Sequence, residues 1–234
     1  LDLSIAPSDK NVVIERMPSM AFLQKGEAFG SVSFEHELFF DLFLASRMSR
    51  RVRNGSSGLR LMFSRASMPD SLSGSVVEKI KGSRESDGYP EFEILQRVLD
   101  GSGSRHEVVR ENCGRLIGGL LVARSADGPI DGGFTLRGAV FPGTSFHGVQ
   151  FVGATFIDSV FKRVDLTGTV FEGCSGAGLF FESPLLNSET KLDIDGLEVD
   201  SGVFGLRVAD VEGGVRSVYE PIEVRKVLKA CQLP

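Results

Sequence analysis

From Ala139 to Gly173 the chain reads AVFPG TSFHG VQFVG ATFID SVFKR VDLTG TVFEG. This stretch decides the fold. Counted in fives from Leu136, the centres are Leu136, Phe141, Phe146, Phe151, Phe156, Phe161, Leu166, Phe171, Gly176 and Phe181. An apolar residue recurs at every fifth position, broken once by Gly176. Two positions before each centre the residues are mostly small or β-branched, as at Ala139, Thr144, Ala154, Ser159 and Thr169. Two positions after it Gly dominates, with Asp158, Arg163 and Ser183 as exceptions. A period of five is neither the 3.6 of a helix nor the 2 of a strand, so it marks an internal repeat.

A corner after every five residues closes a square coil in four units. Each centre and the residue two before it then point inward. The residues after the centre reach the corner, where Gly accepts unusual backbone angles without a Cβ penalty. Stacked coils pair as short parallel strands roughly 4.8 Å apart. Phe141 is expected over Phe161, and Phe151 over Phe171. The repeat resembles the pentapeptide-repeat family, whose units carry Leu or Phe at the centre and a small residue two before it. That resemblance implies a right-handed four-sided parallel β-helix with Leu136, Phe141, Phe146, Phe151, Phe156, Phe161, Leu166, Phe171 and Phe181 as its structural core.

Composition sets the outer bounds. The 234 residues allow one large or two modest domains; 41% are hydrophobic and 24% charged, as in ordinary globular proteins. A net charge of −5 argues against nucleic-acid binding by the chain as a whole. No apolar run approaches the ~20 residues of a membrane span. Three scattered cysteines, Cys113, Cys174 and Cys231, give neither a disulfide framework nor metal-ligand spacing. A reducing, cytoplasmic setting is the expectation. Leu1 stands within an apolar pattern and no signal peptide follows it, which reads as a piece of a longer chain.

Ahead of the repeat the pattern is mostly helical. NVVIERM from Asn11 and VSFEH from Val32 are strand-like, and PSMAFLQKG between them reads as a helix ending at Gly26. Ser33 is expected to cap a helix whose apolar side is Leu38, Phe39, Leu42, Phe43 and Met48. Arg47, Arg50, Arg51 and Arg53 crowd its C-terminal end, where cations complement the helix dipole. Further helices are expected around GLRLMFSRAS, from Pro69, from Glu91 to a stop at Gly101, and over residues 102–125. After Phe181 the register is expected to break, with SPLLNSETK as an inserted loop and weak units centred on Ile194, Val199 and Phe204. The coil is then limited to about three turns. Pro221 opens a basic amphipathic helix suited to capping the open end.

VSFEHELFFDLFLA, residues 32–45, resembles the end of the winged-helix region of STAND signalling NTPases with a NACHT-type ATPase. Phe34, His36, Phe40, Phe43 and Ala45 carry the likeness. In that family the His projects toward the nucleotide phosphates, so His36 is implied to be a nucleotide-sensing residue in an incomplete site. Nothing in the chain matches G-x-x-x-x-G-K-[ST]. The implied ATPase lies upstream, and ATP or ADP enters only with that module; no cofactor is expected in this chain.

Four segments follow: 1–53, a winged-helix-like end of an NTPase module; 54–130, a helical domain; 131–208, the β-helix; and 209–234, a capping segment. The fold class is α+β multidomain. No catalytic constellation or metal site stands out, so the chain is not read as an enzyme. The expected function is sensing or scaffolding within a NACHT-like signalling NTPase, possible in bacterial defence, with the coil binding a protein partner or assembling with itself. Outward positions such as Thr135, Val140, Gln150, Lys162 and Glu172 would form that surface. The alternative is a stand-alone DNA mimic that binds a topoisomerase. Residues 134–182 carry Arg137, Lys162 and Arg163 against Asp158, Asp165, Glu172 and Glu182, a net of −1. Only the acidic run Asp193, Asp195, Glu198 and Asp200 favours that alternative. As a bare run it more often marks a solvated face.

Overall fold

The repeat folds as a parallel β-solenoid of about four turns, preceded by helices. A computed structural model describes residues 23–25, 32–34, 37–55, 58–81, 90–102, 106–131, 133–210 and 212–232. The solenoid strands are β3 (Ile130–Asp131), β4 (Thr135–Arg137), β5 (Val140–Pro142), β6 (Gln150–Val152), β7 (Thr155–Ile157), β8 (Val160–Lys162), β9 (Val170–Ala177), β10 (Phe180–Glu182), β11 (Leu185–Leu186), β12 (Lys191–Asp195), β13 (Val203–Phe204) and β14 (Leu206–Ala209). Pairing steps by one coil of twenty residues: Leu136 lies opposite Phe156, Phe141 opposite Phe161, and Phe161 opposite Phe181. The centres from Leu136 to Phe171 are at most 1% exposed, and Phe181 is 2% exposed.

Aromatic stacking holds successive coils in register. The ring centroids of Phe141 and Phe161 are 4.8 Å apart, those of Phe151 and Phe171 4.9 Å, and those of Phe161 and Phe181 5.0 Å. Each such contact adds about 0.5–1.5 kcal/mol beyond the area buried. Gly176 leaves a gap above Phe156, which Leu179 and Ile194 fill; a Cβ at Gly176 would lie 2.9 Å from Leu179 Cδ2 and 3.3 Å from Ile194 Cγ2. The inward polar residues spend their hydrogens on the preceding coil. Thr169 Oγ1 donates to the Phe146 carbonyl at 2.7 Å, and Thr190 Oγ1 to the Leu166 carbonyl at 2.8 Å. A hydroxyl can therefore stand in this core without an unmet hydrogen bond.

The expected break after Phe181 does not occur there. Asp165 bridges to Leu185, still twenty residues on, so SPLLNSETK contains strand β11 and is no simple insertion. One extra residue then enters, and Leu192 lands opposite Phe171. Leu192 thus takes the centre assigned to Ile194, which lies opposite Cys174 instead. A short helix, α6 (Val199–Gly202), occupies the unit expected at Val199. Val203 lies opposite Phe181, and Phe204 is 63% exposed rather than a centre. These pairings carry the coil past the expected three turns.

The helices are α1 (Glu37–Asn54), α2 (Leu59–Phe63), α3 (Asp70–Lys81), α4 (Pro90–Asp100), α5 (Glu107–Ser125) and α7 (Pro221–Gln232). Before α1, β1 (Leu23–Lys25) pairs antiparallel with β2 (Val32–Phe34). Leu23–Lys25 is therefore strand and not the helix expected there: partner-strand hydrogen bonds replace the local ones a helix would supply. Ser33 lies inside β2, four residues before Glu37, and is not the helix cap. The buried stripe of α1 is Ala45, Met48, Ser49 and Val52, at helical spacing. Leu42 and Phe43, expected inside, are 49% and 46% exposed.

Helix α5 lies across the first coil and packs on α3 and α4 on its other sides. Two glycines one turn apart permit the approach. A Cβ on Gly114 would fall within 1.8 Å of the Val140 carbonyl oxygen, and one on Gly118 3.0 Å from Thr144 Cγ2. Asn112, buried in the middle of α5, ties down the turn between α2 and α3. Its amide donates to the carbonyls of Phe63 (2.9 Å) and Ala66 (2.8 Å), and its oxygen accepts from the Met68 N–H at 2.7 Å. At the other end, β15 (Val215–Val218) pairs antiparallel with β14, and α7 buries Val224, Leu228 and Cys231 while packing on β12. Both ends of the stack are thus covered, as a solenoid requires.

Candidate functional site

The outward positions of the coil form columns of side chains, one residue from each turn. In one column region Ser145 Oγ reaches Asp165 Oδ2 at 3.3 Å, Thr167 Oγ1 donates to Asp165 Oδ1 at 2.7 Å, and His147 Nδ1 lies 2.7 Å from Thr167 Oγ1. With the Thr167 proton committed to the carboxylate, His147 must donate from Nδ1, which leaves Nε2 facing solvent. The Asp–Thr–His order links three side chains through one hydroxyl. It is a polar ladder, and the hydroxyl it contains is tied back to Asp165. Asn187 continues it by accepting the Gly168 N–H at 2.9 Å.

Left-handed corners supply a second set of groups. Asp158, Arg163 and Ser183 are the only non-glycine residues with positive φ among those described, at 48°, 55° and 49°. The carbonyl of every one accepts from an arginine. Arg110 Nε donates to Gly138 O and its Nη2 to Asp158 O at 2.8 Å. Arg207 Nε donates to Ser183 O at 3.0 Å and its Nη2 to Arg163 O at 3.1 Å. Each guanidinium bridges two corner carbonyls of adjacent turns, and these charge-assisted bonds offset the left-handed strain. Gln96 does the same for the open edge of β4. Its amide donates to Arg137 O at 3.0 Å and accepts from Arg137 N at 2.9 Å, so the side chain mimics one residue of a missing strand.

Of the outward positions named from sequence, Thr135, Gln150 and Glu172 are exposed and Lys162 is half-buried. Lys162 Nζ lies 3.6 Å from both Glu107 and Glu111 of α5. Val140 is only 4% exposed, a correction: α5 covers its strand. The acidic run is partly consumed by structure. Asp193 accepts the Gly173 N–H at 2.8 Å, and Glu198 accepts from Ser201. Arg47, Arg50 and Arg53 are exposed along α1, while Arg51 packs over Gly58. His36 lies outside the described residues. Phe204, Val215, Tyr219 and Ile222 of the C-terminal segment are large exposed apolar residues, and the Tyr219 ring lies against Gly205.

Burial pushes the Cys113, Cys174 and Cys231 thiols up from their ordinary value, which disfavours the nucleophilic thiolate. Among the described residues no three His, Cys, Asp or Glu side chains converge to hold a metal ion, and no helix is long and apolar enough to cross a membrane. Comparison with protein-family models, curated proteins and solved structures gave no match in any of the three.

Sequence reading missed Gln96, Arg110, Asn112 and Arg207. One signal pointed to Asn112, a polar residue inside the apolar stripe of α5. The others are surface-type residues whose partners are backbone atoms 24 to 48 residues away.

Proposed function

We propose that the chain is a non-enzymatic sensing or scaffolding module, in which a right-handed four-sided pentapeptide coil presents its outer columns to a protein partner or to further copies of itself. The division of labour within each unit carries this reading. Phe151 and Phe171 are wholly buried while their neighbours Gln150 and Glu172 are exposed, so the outer surface can vary without disturbing the core. The twenty-residue step with left-handed residues every five positions supports the four-sided form. The apolar groups around Phe204 and Tyr219 suit protein contact better than solvent.

The likeness of residues 32–45 to the winged-helix end of NACHT-type STAND NTPases supports reading the module as part of a signalling ATPase, with its nucleotide core proposed to lie upstream. Segments 1–53, 54–130, 131–208 and 209–234 are its proposed divisions, and switching of the ATPase is transmitted through the helices to the coil. Isothermal titration of ATP and of ADP into the chain tests this. No micromolar binding is expected; binding at that level contradicts it. The topoisomerase reading loses support from Asp193 and Glu198, whose carboxylates serve local hydrogen bonds. A supercoiling assay is expected to show no inhibition.

A further inference from the structure

The last hairpin of the chain leaves one edge of its sheet open. Strand β15 pairs with β14 on one side, and among the described residues no strand lies beyond it. Asp210 N donates to the Gly214 carbonyl at 2.9 Å, which sets the bonded pairs of the hairpin at Asp210–Gly214, Val208–Arg216 and Leu206–Val218. Arg207 lies between two of these pairs and sends its N–H the other way, to the Pro184 carbonyl at 2.8 Å. The backbone groups of Val215 and Ser217 therefore point away from β14. Neither residue has another backbone partner among the described residues. An edge of this kind is a template for one more strand. Its side chains select which strand fits. Val215, Arg216, Ser217, Tyr219 and Glu220 are all exposed, and among the described residues neither Arg216 nor Glu220 has an ion pair.

We propose that β15 pairs antiparallel with β15 of a second copy of this chain, about a twofold axis at Ser217. In that register Ser217 lies opposite Ser217, and Val215 opposite Tyr219 of the second copy, apolar against aromatic. On the other face Arg216 lies one diagonal step from the second copy's Glu220, and Glu220 one step from its Arg216, within reach of long side chains. The edge is thus complementary to itself in charge, as an isologous twofold contact needs. Val218 stays buried within its own chain. This pairing rests on the protein-contact reading of the C-terminal segment and makes the chain its own partner.

Sedimentation velocity of the full chain from about 2 to about 200 µM tests the pairing. A monomer–dimer equilibrium is expected, with a dissociation constant of about 1–100 µM, since the contact is small. Arg216→Glu brings like negative charges together at both ends of the contact, and Glu220→Arg like positive ones. Each change should weaken the dimer about tenfold or more. An equimolar mixture of the two variants should dimerise about as tightly as the parent, because every charge then meets its opposite. Ser217→Pro removes an outward N–H that β14 does not use, and should also weaken the dimer about tenfold or more. All three positions are exposed, so each variant should melt within about 4 °C of the parent. A chain that stays monomeric at about 200 µM overturns the proposal. So does a dimer that the single charge changes leave intact, or a mixture no tighter than either variant alone. A monomer would leave the wider protein-contact reading standing, since micromolar ATP binding is what contradicts that reading.

Discussion

At the scale of single residues the solenoid is held by inward rings and by a few side chains that reach backbone atoms. Phe161 touches rings above and below, Phe141 and Phe181, and is fully buried. Phe161→Ala should lower unfolding free energy by about 3–5 kcal/mol in a denaturant titration. A loss under ~1 kcal/mol would mean that the stack can collapse around the hole. Arg207→Ala should cost about 2 kcal/mol, because two corner carbonyls lose a charged donor. Adding Arg163→Gly and Ser183→Gly should recover part of that loss, since left-handed strain then disappears. Strict additivity of the three changes would show that arginine and corner strain are not coupled. The rings were legible in the sequence because period five repeats a chemical type. The arginine bridges were not, because a guanidinium that meets carbonyls has no partner type to recognise.

Elements show the same contrast. Gly114 and Gly118 sit one helical turn apart in α5, and the residues that exclude a side chain there belong to β5 and to Thr144. Gly114→Val should destabilise the chain by more than ~3 kcal/mol, since backbone of β5 would have to move. Gly74 in α3 meets nothing within 4 Å, so Gly74→Ala should stabilise by about 0.5–1 kcal/mol. Thermal melts of the two variants should therefore move in opposite directions. The existence and type of α3, α4, α5 and α7 were readable from apolar spacing and from Gly and Pro stops. The orientation of α1 was not. Its first turns are apolar on nearly every side and its last are mostly polar, so spacing alone does not choose a face; the fold shows that Ala45, Met48 and Val52 face inward while Leu42 and Phe43 do not. The frame after Gly176 failed for a related reason. The twenty-residue step lengthens by one at Lys191–Leu192, returns at Ile194–Asp195 and lengthens by two at Val203, and the sequence marks these shifts only by lost glycines.

For the whole molecule, charge and burial set the response to pH. The three buried thiols have an ordinary value of 9.0 and are raised from it by burial. Above about pH 9 the unfolded chain loses the Cys113 proton while the folded chain keeps it. Stability is therefore full below that pH and falls as pH rises, by ~1.4 kcal/mol per pH unit for Cys113, the most deeply buried of the three. Cys113→Ala should flatten the decline measured between pH 9 and 11 in urea, even though it removes core volume. An unchanged slope would show that Cys113 ionises in the folded state.

The helices and the coil form one stack of mutually covered surfaces. Helix α5 closes the first turn, and Gln96 with Arg110 satisfies its open backbone groups. The coil should not stand without them. Residues 131–234 expressed alone, followed by circular dichroism through a thermal melt beside the full chain, give the most direct test. The full chain should melt cooperatively, and the isolated segment should be insoluble or show no cooperative transition. A sharp transition from residues 131–234 alone would contradict the dependence of the coil on its helical cap.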